Sequence, residues 1–80
     1  MEHLFPIVGR TINGDTVFYT GRAGEGWVSA NPAEAFMGFS LEGARKRAIY
    51  LNRGLQLHGI FFIVPTGDLL HEVRAAKGGC

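Results

Sequence analysis

The residues able to do chemistry in this chain are few and scattered. Three histidines, His3, His58 and His71, and one cysteine, Cys80, are the candidates for metal ligation or nucleophilic catalysis. Zinc sites draw on close pairs such as C-x-x-C or H-x-x-x-H, which set two donors on one side of the ion. None of these four residues stands in such a pair, so no metal is expected. His58, followed by Gly59, reads instead as a helix C-terminal residue facing the dipole. A single cysteine forms no internal disulfide, and Cys80 reads as an inert thiol. The seven acids are too well spread to pair as general acid and base. No nucleophile, base and orienting group can be assembled from these residues, so neither an enzyme nor a cofactor is expected.

The stretch Gly21-Arg22-Ala23-Gly24-Glu25-Gly26 invites comparison with a phosphate-binding loop. Its glycines do not follow the G-x-G-x-x-G order, and it lacks the Gly-Lys-Ser/Thr ending of a P-loop. It also leads into a predicted strand, whereas a phosphate site uses the N–H groups that open a helix. The segment reads as a turn that carries Arg22 and Glu25 on its tip, where binding residues often sit.

What remains is a cluster of cations and aromatics. The net charge of +1 hides an asymmetry: residues 1–39 hold two basic and four acidic side chains, residues 40–80 six basic and three acidic. Arg45, Lys46, Arg47 and Arg53 fall in one predicted helix, with Tyr50 among them. Lys46, Tyr50 and Arg53 lie opposite its apolar stripe, with Arg47 and Ile49 at the margins. Arg, Tyr and Lys together are typical of interface hot spots, and Tyr50 is also a platform on which a base could stack. The candidate partner-binding residues are therefore Arg22, Glu25, Arg45, Lys46, Arg47, Tyr50 and Arg53, set against the plain alternative of a solvated helix face.

The elements that must position these residues follow from local pattern. Eighty residues fit a single domain over 1–75, with 76–80 as a flexible tail. Pro6 makes the first apolar stretch an edge strand or one that starts after the proline. Asn13-Gly14 signals a hairpin through two residues that accept positive φ, leading into a strand over Thr16–Thr20. Trp27–Ala30 is a third short strand. Asn31-Pro32-Ala33-Glu34 carries a cap, a first-turn proline and an acid, and predicts one helical turn ending near Phe36.

The main helix is predicted over about 40–57, from the Ser40 cap. Leu41, Ala44, Ala48, Leu51 and Leu55 form its apolar stripe. Ile60–Val64 is apolar on both faces and reads as a central strand. Residues 69–75 fit either an edge strand or a short helix begun by Asp68. The fold expected is α+β: a mainly antiparallel sheet of four or five strands with the helix packed on one face.

Counting faces turns this fold into a functional expectation. Ile60, Phe62 and Val64 point one way, Phe61 and Ile63 the other, and one helix covers one side. Unless the C-terminal segment folds back as a lid, apolar surface stays open for a partner, which is how interaction sites look. A homodimer or the tail closing that face is the competing reading.

Val17-Phe18-Tyr19-Thr20-Gly21-Arg22-Ala23-Gly24-Glu25-Gly26-Trp27-Val28-Ser29 and Asn31-Pro32-Ala33-Glu34-Ala35-Phe36 resemble small reading frames of phages and prophages of proteobacteria. So do Ser40-Leu41-Glu42-Gly43-Ala44-Arg45-Lys46-Arg47-Ala48, Leu51-Asn52-Arg53 and Leu57-His58-Gly59. Within that group the chain is similar to phage anti-CRISPR proteins, most of all to inhibitors of the type I-C Cascade complex. The resemblance implies a non-enzymatic protein that docks on a Cascade subunit in the host bacterial cytoplasm and blocks engagement of target DNA.

It carries over no residue set, because such inhibitors share size and habit more than motif. Many cover DNA-binding surfaces with acidic patches, and this chain is not strongly acidic. Either Asp15, Glu25 and Glu34 form a local acidic face, or the block is steric, with a secondary DNA contact by the basic helix left open. The alternative function is a small nucleic-acid-binding protein that uses helix 40–57. A monomer or weak homodimer is expected. No membrane association is, since the longest apolar run is Ile60–Val64 and the start Met1-Glu2-His3 does not read as a secretory signal.

Overall fold

The computed structural model describes residues 4–53 and 59–78. Four antiparallel strands form one open sheet: β1 (Val8–Thr11), β2 (Thr16–Tyr19), β3 (Val28–Ser29) and β4 (Ile60–Ile63). Their order is β3-β2-β1-β4. Helix α1 (Leu41–Asn52) packs on one face, as the sequence predicts. Helix α2 (Gly67–Ala76) packs on the other. The fold is α+β, in three layers.

Local chemistry sets most boundaries. Ser40 Oγ accepts the Gly43 N–H at 3.2 Å and opens α1. Asn31 Oδ1 accepts the Ala33 N–H at 3.0 Å and starts a short 3-10 turn, Pro32–Glu34, two residues shorter than expected. The β1–β2 hairpin uses positive φ at Gly14 alone, at 88°. Gly14 N–H reaches Thr11 O at 2.9 Å and Thr11 N–H reaches Asp15 O at 2.9 Å. The loop is therefore a tight turn plus a left-handed glycine, one residue longer than the two-residue turn that Asn-Gly suggests.

One expectation is corrected and one open alternative is resolved. β4 is an edge strand, paired among the described residues with β1 alone, although it is apolar on both faces. The segment at 69–75 is a helix, and it extends through Ala76. It begins after Thr66, with no side-chain cap, and Asp68 sits in its first turn. Lys77 Nζ then donates to Ala33 O at 3.0 Å. The last turn of the main helix expected to residue 57, with Leu55, Leu57 and His58, lies outside the described residues, as do His3 and Cys80.

The sheet buries two unequal cores. Beneath α1 lie Ile7, Ile60 and Phe62, against Ala44 and Ala48, whose small side chains let the helix sit close. Trp27 adds a tilted ring 5.5 Å from Phe62. On the other face, Val73 of α2 is fully buried against Val8, Phe18 and Ala35. Burying one such aliphatic side chain contributes about 1.5–3 kcal/mol.

The outer edge of β4 is held by a side chain. Asn52, the last residue of α1, donates Nδ2–H to Phe62 O at 2.9 Å and accepts the Phe62 N–H on Oδ1 at 2.6 Å. The carboxamide reproduces the donor and acceptor pair of a neighbouring strand, so it closes the ladder where an edge would invite pairing. Opposite Phe62 in register is Gly9. A Cβ there would lie 2.6 Å from Ile60 Cγ2 and 2.9 Å from the Phe62 ring.

Three outcomes follow for stability. Asn52→Ala lowers unfolding free energy by about 1–3 kcal/mol in urea melts. Asn52→Asp costs at least as much, since it sets a carboxylate against the Phe62 carbonyl. Gly9→Ala also destabilises, by about 1–3 kcal/mol. That sign is opposite to the gain an unhindered strand glycine gives on replacement by alanine.

Candidate functional site

α1 presents its basic face to solvent because its other face is taken by the sheet. Ala44 and Ala48 are buried, and one half-turn away Lys46, Ile49, Tyr50 and Arg53 are exposed, with Ile49 and Tyr50 each 61% exposed. Arg45 and Arg47 flank them and are also exposed. Arg47 places its guanidinium 5.2 Å from the centre of the Tyr50 ring. Such a cation over an exposed ring is worth about 0.5–1 kcal/mol and biases both side chains toward this arrangement. Lys46 faces Glu42 at 4.0 Å, a solvated pair that adds little to stability and leaves the ammonium available. Among the described residues, no carboxylate pairs with Arg45, Arg47 or Arg53.

The face is concave on one side. Phe39, Gly43, Lys46, Arg47 and Tyr50 line an open depression that is more apolar than polar. Its floor is built by the core. The Phe39 backbone carbonyl accepts the Phe5 N–H at 2.8 Å, its ring stacks 6.3 Å from Tyr19, and Phe36 meets it edge-on at 5.1 Å. Gly43 has no side chain to fill the hollow; a Cβ there would lie 3.8 Å from the Phe39 ring and 3.3 Å from the capping Ser40 Oγ. An apolar floor with a rim of two cations and a phenol can receive a side chain or a base and neutralise an adjacent negative charge.

The structure gathers Lys46, Arg47 and Tyr50 at this depression, with Arg53 one turn on and Arg45 at the far margin. Arg22 and Glu25 form a separate group in the glycine loop. Arg22 pairs with Glu34 at 3.6 Å, and among the described residues no hydrogen bond or ion pair joins either loop residue to α1. That pairing also ties up one of the three carboxylates of the acidic alternative. The loop itself contains a 3-10 turn, Gly24–Trp27, closed by the Thr20 hydroxyl donating to Gly26 O. Phe39 and Gly43 were not legible as part of a site. Phe39 lies outside the helix, and Gly43 matters through the side chain it lacks.

Among the described residues no group of three potential metal-ligating side chains comes together, and His71 is exposed on α2. No described helix is long and apolar enough to cross a membrane. Compared with protein families, curated proteins and solved structures, the chain matches none.

The solvent exposure of the face sets its structural value. The double variant Lys46→Glu, Arg53→Glu keeps unfolding free energy within about 0.5 kcal/mol of the parent in urea melts. A larger loss would mark these cations as structural.

Proposed function

We propose that this protein is a non-enzymatic inhibitor that docks on a type I CRISPR effector complex of the I-C kind in a bacterial cytoplasm and blocks its engagement of target DNA. The observation that carries the docking half is the outer face of α1. Lys46, Arg47, Tyr50 and Arg53 stand exposed beside an apolar depression, with one acid, Glu42, among them. Aromatic and arginine side chains around a desolvatable hollow are the composition that carries most binding energy at protein interfaces. The resemblance of residues 16–64 to phage anti-CRISPR proteins supplies the partner and the consequence. The mode of block is steric, since the exposed face is basic and does not imitate DNA. On this reading the partner surface is acidic.

A second reading uses the same face on nucleic acid. Lys46, Arg47 and Arg53 would sit on phosphates and Tyr50 would stack on a base, an arrangement whose affinity falls steeply with salt.

One experiment separates them. Purified I-C Cascade immobilised on a biosensor binds the parent chain, and target-DNA binding by the complex falls as the chain is added. Lys46→Glu with Arg47→Glu weakens both by at least about tenfold, the loss expected when hot-spot cations are reversed. The isolated chain shifts neither DNA nor RNA in gels at low salt. Nucleic-acid binding by the chain alone, lost as salt rises and in the same variant, selects the second reading. No binding to Cascade by the parent removes the first.

A further inference from the structure

The face of the sheet that carries α2 is covered on one half only. Register places Phe18, Val8 and Ile63 in one row and Thr16, Arg10 and Phe61 in the next. Ile12 continues the alternation past the end of β1, its N–H donating to Gly59 O at 3.1 Å. α2 closes the first row over Phe18 and Val8 through Val73 and Leu69. Beyond its reach Ile63 is 45% exposed, Phe61 52% and Ile12 85%.

Arg10 stands among these three side chains. It pairs directly across the ladder with Phe61, has Ile63 on its diagonal and Ile12 two residues along its own strand. Directly opposed side chains begin about 4.5–5.5 Å apart at Cβ, so Arg10 and Phe61 leave the sheet side by side. Arg10 is exposed, and among the described residues no carboxylate lies within ion-pair distance of it.

We propose that this half-face is a second docking surface, and that it takes a protein segment presenting large apolar side chains around a carboxylate. The apolar rim calls for apolar cover. The unpaired guanidinium at its centre decides the rest. A wholly apolar cover would leave a charge stranded in a dry contact, whereas a carboxylate meets the guanidinium fork with two hydrogen bonds. A second copy of the chain brings another Arg10 toward the first, and like charges in an interface oppose it. The surface lies across the sheet from the basic face of α1, and the inference does not rest on the function proposed for that face.

The test is a random peptide library displayed on phage and panned against the intact chain. Enriched sequences carry an Asp or Glu flanked by large apolar residues. A synthetic peptide of that consensus binds in calorimetry, and Arg10→Glu weakens it by at least about tenfold, the usual scale for reversing one close charge pair. Exchanging the acid of the peptide for lysine restores binding to the Arg10→Glu chain, and Phe61→Ser weakens both combinations. Lys46→Glu with Arg53→Glu leaves the peptide affinity unchanged. Enrichment without an apolar–acidic consensus overturns the proposal, as does affinity that Arg10→Glu leaves intact. Sedimentation of the chain as a dimer that Phe61→Ser dissolves assigns the face to a second copy and overturns it equally.

Discussion

β4 sets the terms for the rest of the molecule. Ile60, Phe61, Phe62 and Ile63 send two large apolar side chains to each side of the sheet, so both faces ask for the same cover. The strand lies at the edge, tied to the sheet by β1 and clamped from outside by the Asn52 carboxamide. On the α1 side the demand is met in full: Phe62 is 1% exposed under the helix, in room that Gly9 leaves for it. On the α2 side the helix sits over β1 and β2. There Arg74 donates to Leu4 O at 3.0 Å and Lys77 reaches Ala33 O, which anchors α2 away from β4. Phe61 and Ile63 stay half in water. Completing their burial would add about 1 kcal/mol each, a gain the isolated chain forgoes although a domain of this size has little stability in reserve.

This asymmetry gives the protein two surfaces of different chemistry on opposite layers. The outer face of α1 is basic and aromatic, and its shape comes from Gly43 and from Phe39, which the core holds in place. The open half of the sheet is apolar with one cation at its centre. Both have the composition of contact surfaces, and the thickness of the sheet separates them.

Much of the frame was legible because it rests on local chemistry. Ser40 marks the start of α1, Asn31 caps the 3-10 turn, and Asn13-Gly14 places the hairpin. The basic face followed from the helical period, once Ala44, Ala48 and Leu51 fixed which side was buried. The edge position of β4 was not legible. A strand apolar on both faces normally lies between neighbours, and here a side chain of α1 substitutes for one neighbour while one face is left partly bare. α2 was ambiguous because Leu69, Leu70 and Val73 suit either period, and its placement depends on anchors at Leu4 and Ala33 that only the tertiary fold supplies. The surface around Arg10 needs residues of β1 and β4 brought together by register, and nothing near either segment in the chain announces it.

The open half-face exists because Phe61 and Ile63 face solvent while Phe62 and Ile60 do not. Paramagnetic relaxation by a soluble gadolinium chelate, read residue by residue in the NMR spectrum of the isolated monomer, reports this directly. Strong broadening of the Phe61 and Ile63 side chains, with those of Phe62 and Ile60 nearly untouched, is the predicted pattern. Equal protection of all four would mean that the chain covers its own edge strand, and the open half-face would not exist.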